Sequence, residues 1–171
     1  MDADKDYLTF NTGARMPLVG IGTWNAAPEK VGGALEYALS ECGYRHIDCA
    51  AVYHNEMAIG EALKYIFGKG DIKREEVFIT SKLWNTEHTP ENVANACKKT
   101  LRDLKLDYLD LYLMHFGIAI APGSGDEPLD SQGYVLTEKV PLQETWAAME
   151  RLAREGMVKA VGVANFTAPM L

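Results

Sequence analysis

Apolar residues fall along this chain in two alternating rhythms. Short continuous runs at residues 18–21, 44–48, 77–82, 109–115 and 158–163 have the density of buried strands. The first four are each followed, directly or after a loop, by apolar residues spaced three and four apart, the signature of a helix with one buried face. After Pro28, Val31, Leu35, Ala38 and Cys42 form one stripe, and Gly43 is placed to end that helix in a left-handed turn. Residues 55–67 form the next helix, closed by Gly68. Thr89 followed by Pro90 reads as a hydroxyl cap with proline at the first helical position, and Val93, Cys97, Leu101 and Leu104 make the stripe behind it. Residues 142–155 form a fourth helix with Trp146, Met149 and Ala153 inward and Gly156 at its end.

Two segments stand outside this alternation. Residues 7–17 flank Asn11, Thr12 and Gly13, a turn-forming group, and predict a β-hairpin. Residues 117–139 are rich in Gly, Pro and Asp and long for a connection, which predicts a lid or pocket wall.

Strand-then-helix repeats build a parallel sheet covered by helices, either an open doubly wound sheet or a closed eight-fold barrel. Gly20-Ile21-Gly22 is followed by Thr23, Trp24 and Asn25, without the third glycine of a dinucleotide-binding turn. The barrel is the better reading.

Composition narrows the function classes. The chain has 171 residues, 47% hydrophobic and 24% charged, as expected of one folded domain. Its net charge of -7 offers no overall attraction to nucleic acid or anionic membranes. Three cysteines, Cys42, Cys49 and Cys97, form no CxxC pair, so neither a disulfide framework nor a zinc site is predicted. The acidic N-terminus lacks the pattern of a secretion signal, and no apolar run approaches the roughly 20 residues that span a bilayer. A cytoplasmic location is the expectation.

Chemistry collects where the strands run out, at Asp48, Lys82, His115 and Asn165. Asp48 to Lys82 is 34 residues and Lys82 to His115 is 33, about one strand-helix unit each. Such positions gather at the C-terminal rim of a parallel barrel. A strand-end Lys–Asp pair is often only structural, but Tyr53, five residues beyond Asp48, can reach the same point. A phenol with a pKa of ~10 is a weak acid, and a neighbouring ammonium favours its ionised form. Lys82 supplies that cation, Asp48 holds it, and a neutral His115 can donate to a substrate oxygen. The set is a device for protonating a carbonyl oxygen. His46, His54 and His88 read as structural or solvated, Trp146 as core, and Cys49 as packing. Trp24, Trp84 and Phe116, at strand exits, read as pocket-lining.

The motifs Gly20-Ile21-Gly22-Thr23-Trp24, Tyr44-Arg45-His46-Ile47-Asp48, Tyr53-His54-Asn55-Glu56 with Gly60, Lys82-Leu83-Trp84, Leu111-Tyr112-Leu113-Met114-His115 and Gly162-Val163-Ala164-Asn165-Phe166 resemble, in order and spacing, those of the aldo-keto reductases. The resemblance implies a (β/α)8 TIM barrel, of which residues 1–171 cover an N-terminal hairpin and about five strand-helix units as one incomplete domain. It implies reduction of aldehydes or ketones to alcohols with NADPH, NADH being the alternative cofactor. The family's tetrad falls on Asp48, Tyr53, Lys82 and His115. Thr23, Trp24, Asp48 and Asn165 would meet the nicotinamide end of the cofactor, and Trp24, Val52, Trp84, His115 and Phe116 the substrate. No metal is implied.

Ala164 stands where the family usually has Ser, which removes one hydroxyl contact to the cofactor. Phe116-Gly117 replaces the Trp-Pro of many members, which widens the pocket. Five strands cannot close a barrel that needs on the order of 250 residues. Unpaired edges on the first and fifth strands, with apolar surface on Val158, Val161 and Val163, predict self-association or a complementing chain. The alternative function is a non-catalytic binding or structural module.

Overall fold

A computed structural model describes residues 6–171. Strands β1 (Tyr7–Thr9) and β2 (Arg15–Pro17) pair antiparallel as the expected hairpin, with Gly13 at φ +82 in its turn. Five parallel strands follow in chain order: β3 (Ile21–Gly22), β4 (His46–Asp48), β5 (Phe78–Leu83), β6 (Leu111–Met114) and β7 (Val161–Val163). Helices α1 (Pro28–Ser40), α2 (Glu56–Gly68), α3 (Pro90–Leu104) and α4 (Leu142–Arg154) connect them. This is the wall of a (β/α)8 barrel over its first five strands, left open between β3 and β7.

The middle of the sheet is buried on both faces, and every residue of β5 is buried. On the outer face Ile47, Ile79, Leu83, Tyr112 and Met114 meet the apolar stripes of the helices, including Leu35, Leu63, Cys97 and Met149. On the inner face Phe78, Leu111 and Ala160 form a smaller cluster, covered by Phe10 and Met16 of the hairpin. The hairpin therefore plugs the N-terminal end and leaves the C-terminal rim to the polar residues. Below the plug, Asp110 accepts hydrogen bonds from the Ile79 N–H, Arg74 and Lys159, and both cations lie over the Tyr108 ring at 4.1 Å.

Several boundaries differ from the sequence reading. Helix α1 stops at Ser40, so Cys42 lies beyond it and is exposed rather than part of the stripe. Gly43 does take the left-handed conformation, but Gly68 remains helical and Gly70 makes the reversal at φ +85. Thr89 caps α3 by its extended backbone alone, without a side-chain hydrogen bond. Trp146 is only half-buried, its indole N–H turned to Glu150, while Thr145, Ala148 and Leu152 fill the inward face. Val158 is buried, held by a bridge to Leu109, so Val161 and Val163 alone carry the half-buried apolar edge. Residues 117–139 are not featureless: bridges Ile120–Thr137 and Leu129–Val135 fold them back on themselves.

Candidate active site

Asp48 ends β4, and the chain leaves it through a tight turn that places Tyr53 over the strand end. Asp48 is level with Thr80 on β5, and Lys82 is level with Leu113 on β6. Equal spacing in sequence thus does not make these residues direct neighbours. Each successive one stands two residues further along its strand. Because side chains alternate with period two, an offset of two keeps all of them on the inner face.

Lys82 is the hub. Its side chain is buried, and its Nζ donates to Asp48 Oδ2 at 2.7 Å, to the Cys49 carbonyl at 2.8 Å and to the Tyr53 hydroxyl at 3.2 Å. Three acceptors satisfy the three donors of an ammonium, so the charge is fixed in place. With its oxygen accepting from Lys82, Tyr53 keeps its own O–H proton to give elsewhere.

His115 meets the Tyr53 ring edge-on at 5.9 Å and stacks on Phe116 at 5.0 Å. Burial, reinforced by the Lys82 charge, lowers its pKa to about 4. It is therefore a neutral imidazole at physiological pH, able to hydrogen-bond without bringing a second cation. Its Nδ1 is buried without a partner, and its backbone is pinned by the Leu83 carbonyl and by the Asn165 amide.

The other predicted residues divide. Trp84 packs edge-on against both His115 and Phe116. Val52 and Trp84 also border a groove of about 640 Å³ that runs toward Thr100 and Tyr112 on the outer side of the sheet. Thr23 is buried, and both its N–H and its hydroxyl donate to the Asp48 carbonyl. Asn165 takes a left-handed backbone, φ +58, and its amide N–H donates to the His115 carbonyl. Trp24 stands apart from the aromatic group, 71% exposed at the rim.

The histidines outside the tetrad separate as well. His46 is structural, between the Pro17 carbonyl and the Thr80 hydroxyl. His88 is neither solvated nor hydrogen-bonded: its ring is buried, both nitrogens lack partners, and burial lowers its pKa to about 4. His54 reaches across to Asp126.

Two residues quoted within a motif received no role of their own from the sequence. Asn55, fully buried, donates to the carbonyls of Thr23 and Ala26 and so holds the Thr23–Trp24 loop against the start of α2. Glu56, also buried, accepts from Ser81 and Thr100 and ties α2 to the strand that carries Lys82. Beyond their place in the motif Tyr53-His54-Asn55-Glu56, their signal was polarity at a helix start, which equally describes a solvated cap.

Comparison with known proteins bears on the family of the chain. The sequence profile of the aldo/keto reductase family matches residues 18–171. Aldo-keto reductase family 1 member A1 from Cricetulus griseus is 53% identical over 158 residues, covering 92% of this chain and 48% of that protein. The protein of the same name from Homo sapiens is 52% identical over the same shares. Among solved structures, the aldose reductase of Schistosoma japonicum superposes with a TM-score of 0.92 at 48% identity, over 96% of this chain and 54% of that one. The aldose reductase of Giardia lamblia gives 0.85 at 54% identity, over 88% and 50%. The chain spans about half the length of the curated relatives it matches. With the profile running over most of its length and half of its residues identical to such relatives, the chain belongs to the aldo/keto reductase family.

Proposed function

We propose that this site reduces aldehydes or ketones to alcohols, with Tyr53 as the general acid. The observation that carries the reading is the single Lys82 ammonium bound at once to Asp48, Cys49 and Tyr53, with a neutral His115 against the Tyr53 ring. A bound nicotinamide cofactor, NADPH with NADH as the alternative, supplies the hydride and its electron pair to the carbonyl carbon. Tyr53 gives its proton to the carbonyl oxygen, and the phenoxide left behind keeps the Lys82 N–H as its nearest donor. His115 orients the carbonyl by a hydrogen bond.

Groups at the rim fit a nicotinamide. Asn165 and Asp48 bring a side-chain amide and a carboxylate to the rim, each with an oxygen that receives no hydrogen bond from the described residues, and Trp24 offers an exposed ring. Thr23 serves by holding the Asp48 backbone. Trp84 and Phe116, with Val52 and Trp24, favour aromatic or apolar aldehydes over highly charged ones. A preference for phosphorylated sugars in a substrate panel would contradict that. The three free thiols suit a reducing, cytoplasmic setting.

The test is carbonyl-dependent loss of reduced-nicotinamide absorbance, abolished by Tyr53→Phe while cofactor binding persists. Full turnover in that variant would remove Tyr53 from the role. The second reading is a non-catalytic binding or structural module or an inactive fragment. Titration with NADPH and NADH separates the two, since micromolar binding supports the enzyme and no detectable binding supports the module.

A further inference from the structure

The segment 117–139 is attached to the rim very unevenly. At its start the Ile120 N–H donates to the Asn85 carbonyl, and further on residues 128–138 bond mainly to one another or to Ala119 and Ala121. Between these, residues 122–127 make two hydrogen bonds to the rest of the protein among the described residues, and both belong to Asp126. Its carbonyl accepts from the Trp84 indole Nε1–H at 2.8 Å, and its Oδ2 lies 2.7 Å from His54 Nε2.

The two donors flank the catalytic group: His54 follows Tyr53, and Trp84 lies two residues beyond Lys82. The His54 backbone is left-handed, φ +54, a conformation that an imidazole-bearing residue adopts far less readily than glycine. That backbone turns the chain at the end of the Tyr53 turn, and the side chain meets Asp126 across 72 residues of sequence. Trp84 is the ring whose edge-on contacts with His115 and Phe116 shape the cleft, and its one hydrogen bond goes to Asp126.

We propose that Asp126 is a positioning residue for the substrate pocket, pinned by His54 so that its carbonyl fixes the tilt of the Trp84 indole. The carboxylate does not touch substrate; it acts through Trp84. Both partners of the His54–Asp126 pair are well exposed, so the pair contributes little to stability, and its consequence is the orientation of one ring. Either the neutral Nε2–H tautomer of His54 or its cation can donate, so the arrangement does not require a particular charge on the ring. The assignment of Trp84 as a pocket wall rests on the carbonyl-reductase reading; the tether itself does not.

The direct readout is hydrogen exchange of the Trp84 indole N–H in the full chain, followed by NMR and assigned with Trp84→Phe. Asp126→Ala and His54→Ala should each speed that exchange about two- to fivefold, the range given by an exposed pair. Asp126→Asn, which keeps an acceptor, should restore it. The double variant should be no faster than either single one, because both remove the same contact. Unchanged exchange in Asp126→Ala, or fully additive effects, would overturn the tether. Where the wild-type chain turns over an aromatic aldehyde, Asp126→Ala should raise KM several-fold and leave kcat unchanged, and an unchanged KM would refute the positioning role. A wild-type chain without turnover would defeat the reductase reading, while the exchange measurement would still decide the tether.

Discussion

Glu56 gives the sharpest test of how the rim is built. Its carboxylate is the first side chain of α2, where the helix dipole favours negative charge, yet it is buried between β5 and α3. Ser81 donates to one oxygen at 2.6 Å and Thr100 to the other at 3.1 Å. Burial outweighs these hydroxyls and raises the pKa from 4.5 to about 7. The folded chain therefore holds this proton more tightly than the unfolded chain does. Below pH 4.5 the group is neutral in both states and folding bears no cost from it. As pH rises from 4.5 to 7 the unfolded chain sheds the proton first, so stability falls through that window and levels off above it. At about 1.4 kcal/mol per tenfold change in the proton equilibrium, the loss is roughly 3 kcal/mol.

Glu56→Gln keeps the shape and an acceptor for one hydroxyl but cannot ionise. Urea unfolding of both chains at intervals from pH 4.5 to 8 should show the difference between variant and wild type moving in favour of the variant by roughly 3 kcal/mol, most of it between pH 5 and 7. Parallel stability curves across that range would refute the argument. They would mean that Glu56 titrates like an exposed carboxyl and that its two hydroxyl contacts compensate its burial.

Other perturbations test the packing around the site. A Cβ on Gly60 would lie 2.1 Å from the Asp103 carbonyl oxygen and 2.8 Å from the Leu104 backbone, so Gly60→Ala must push α2 from α3 and should cost about 2–3 kcal/mol in urea unfolding, whereas Gly22→Ala meets nothing within 4 Å and should leave stability nearly unchanged. Asp110→Ala leaves the Ile79 N–H without its acceptor and the mostly buried Arg74 guanidinium without its counter-charge, though still bonded to the Val77 and Tyr108 carbonyls, and should lower unfolding stability by about 3 kcal/mol. Titration with an aromatic disulfide reagent should modify one thiol in the native chain and three in denaturant. Cys42 alone is exposed, while burial pushes the Cys97 thiol up to about 12 and Cys49 higher still.

Much of this architecture was readable because each rule acted locally. The stripe Val93, Cys97, Leu101, Leu104 is buried as its spacing requires, and Pro90 stands at the first turn of α3. What failed depended on neighbours distant in sequence. Cys42 continues the stripe of Val31, Leu35 and Ala38, but α1 has already ended. Trp146 has a helical spacing that suits the core, yet its indole N–H needs a partner, and Glu150 supplies one only at the surface. His88 looks like a loop residue in sequence and is buried by tertiary packing alone, its backbone carbonyl receiving the Thr145 hydroxyl from α4.

The site shows the same division more sharply. Asp48, Tyr53, Lys82 and His115 could be singled out because polar residues at the ends of apolar runs are costly unless they meet. The unit spacing placed them on one rim. It could not reveal that they step by two residues from strand to strand, since that stagger is set by how neighbouring strands pair and not by any single segment. Nor could it reveal the supporting contacts. Asn55 bonds to backbone carbonyls of Thr23 and Ala26, and Trp84 to the carbonyl of Asp126, so the acceptor in each case is an atom every residue possesses. Sequence marks the groups whose side chains carry unusual chemistry. The backbone atoms that hold them in position leave no mark, and for that reason the contacts of Asn55 with the Thr23–Trp24 loop and of Trp84 with Asp126 emerge only when the strands are in place.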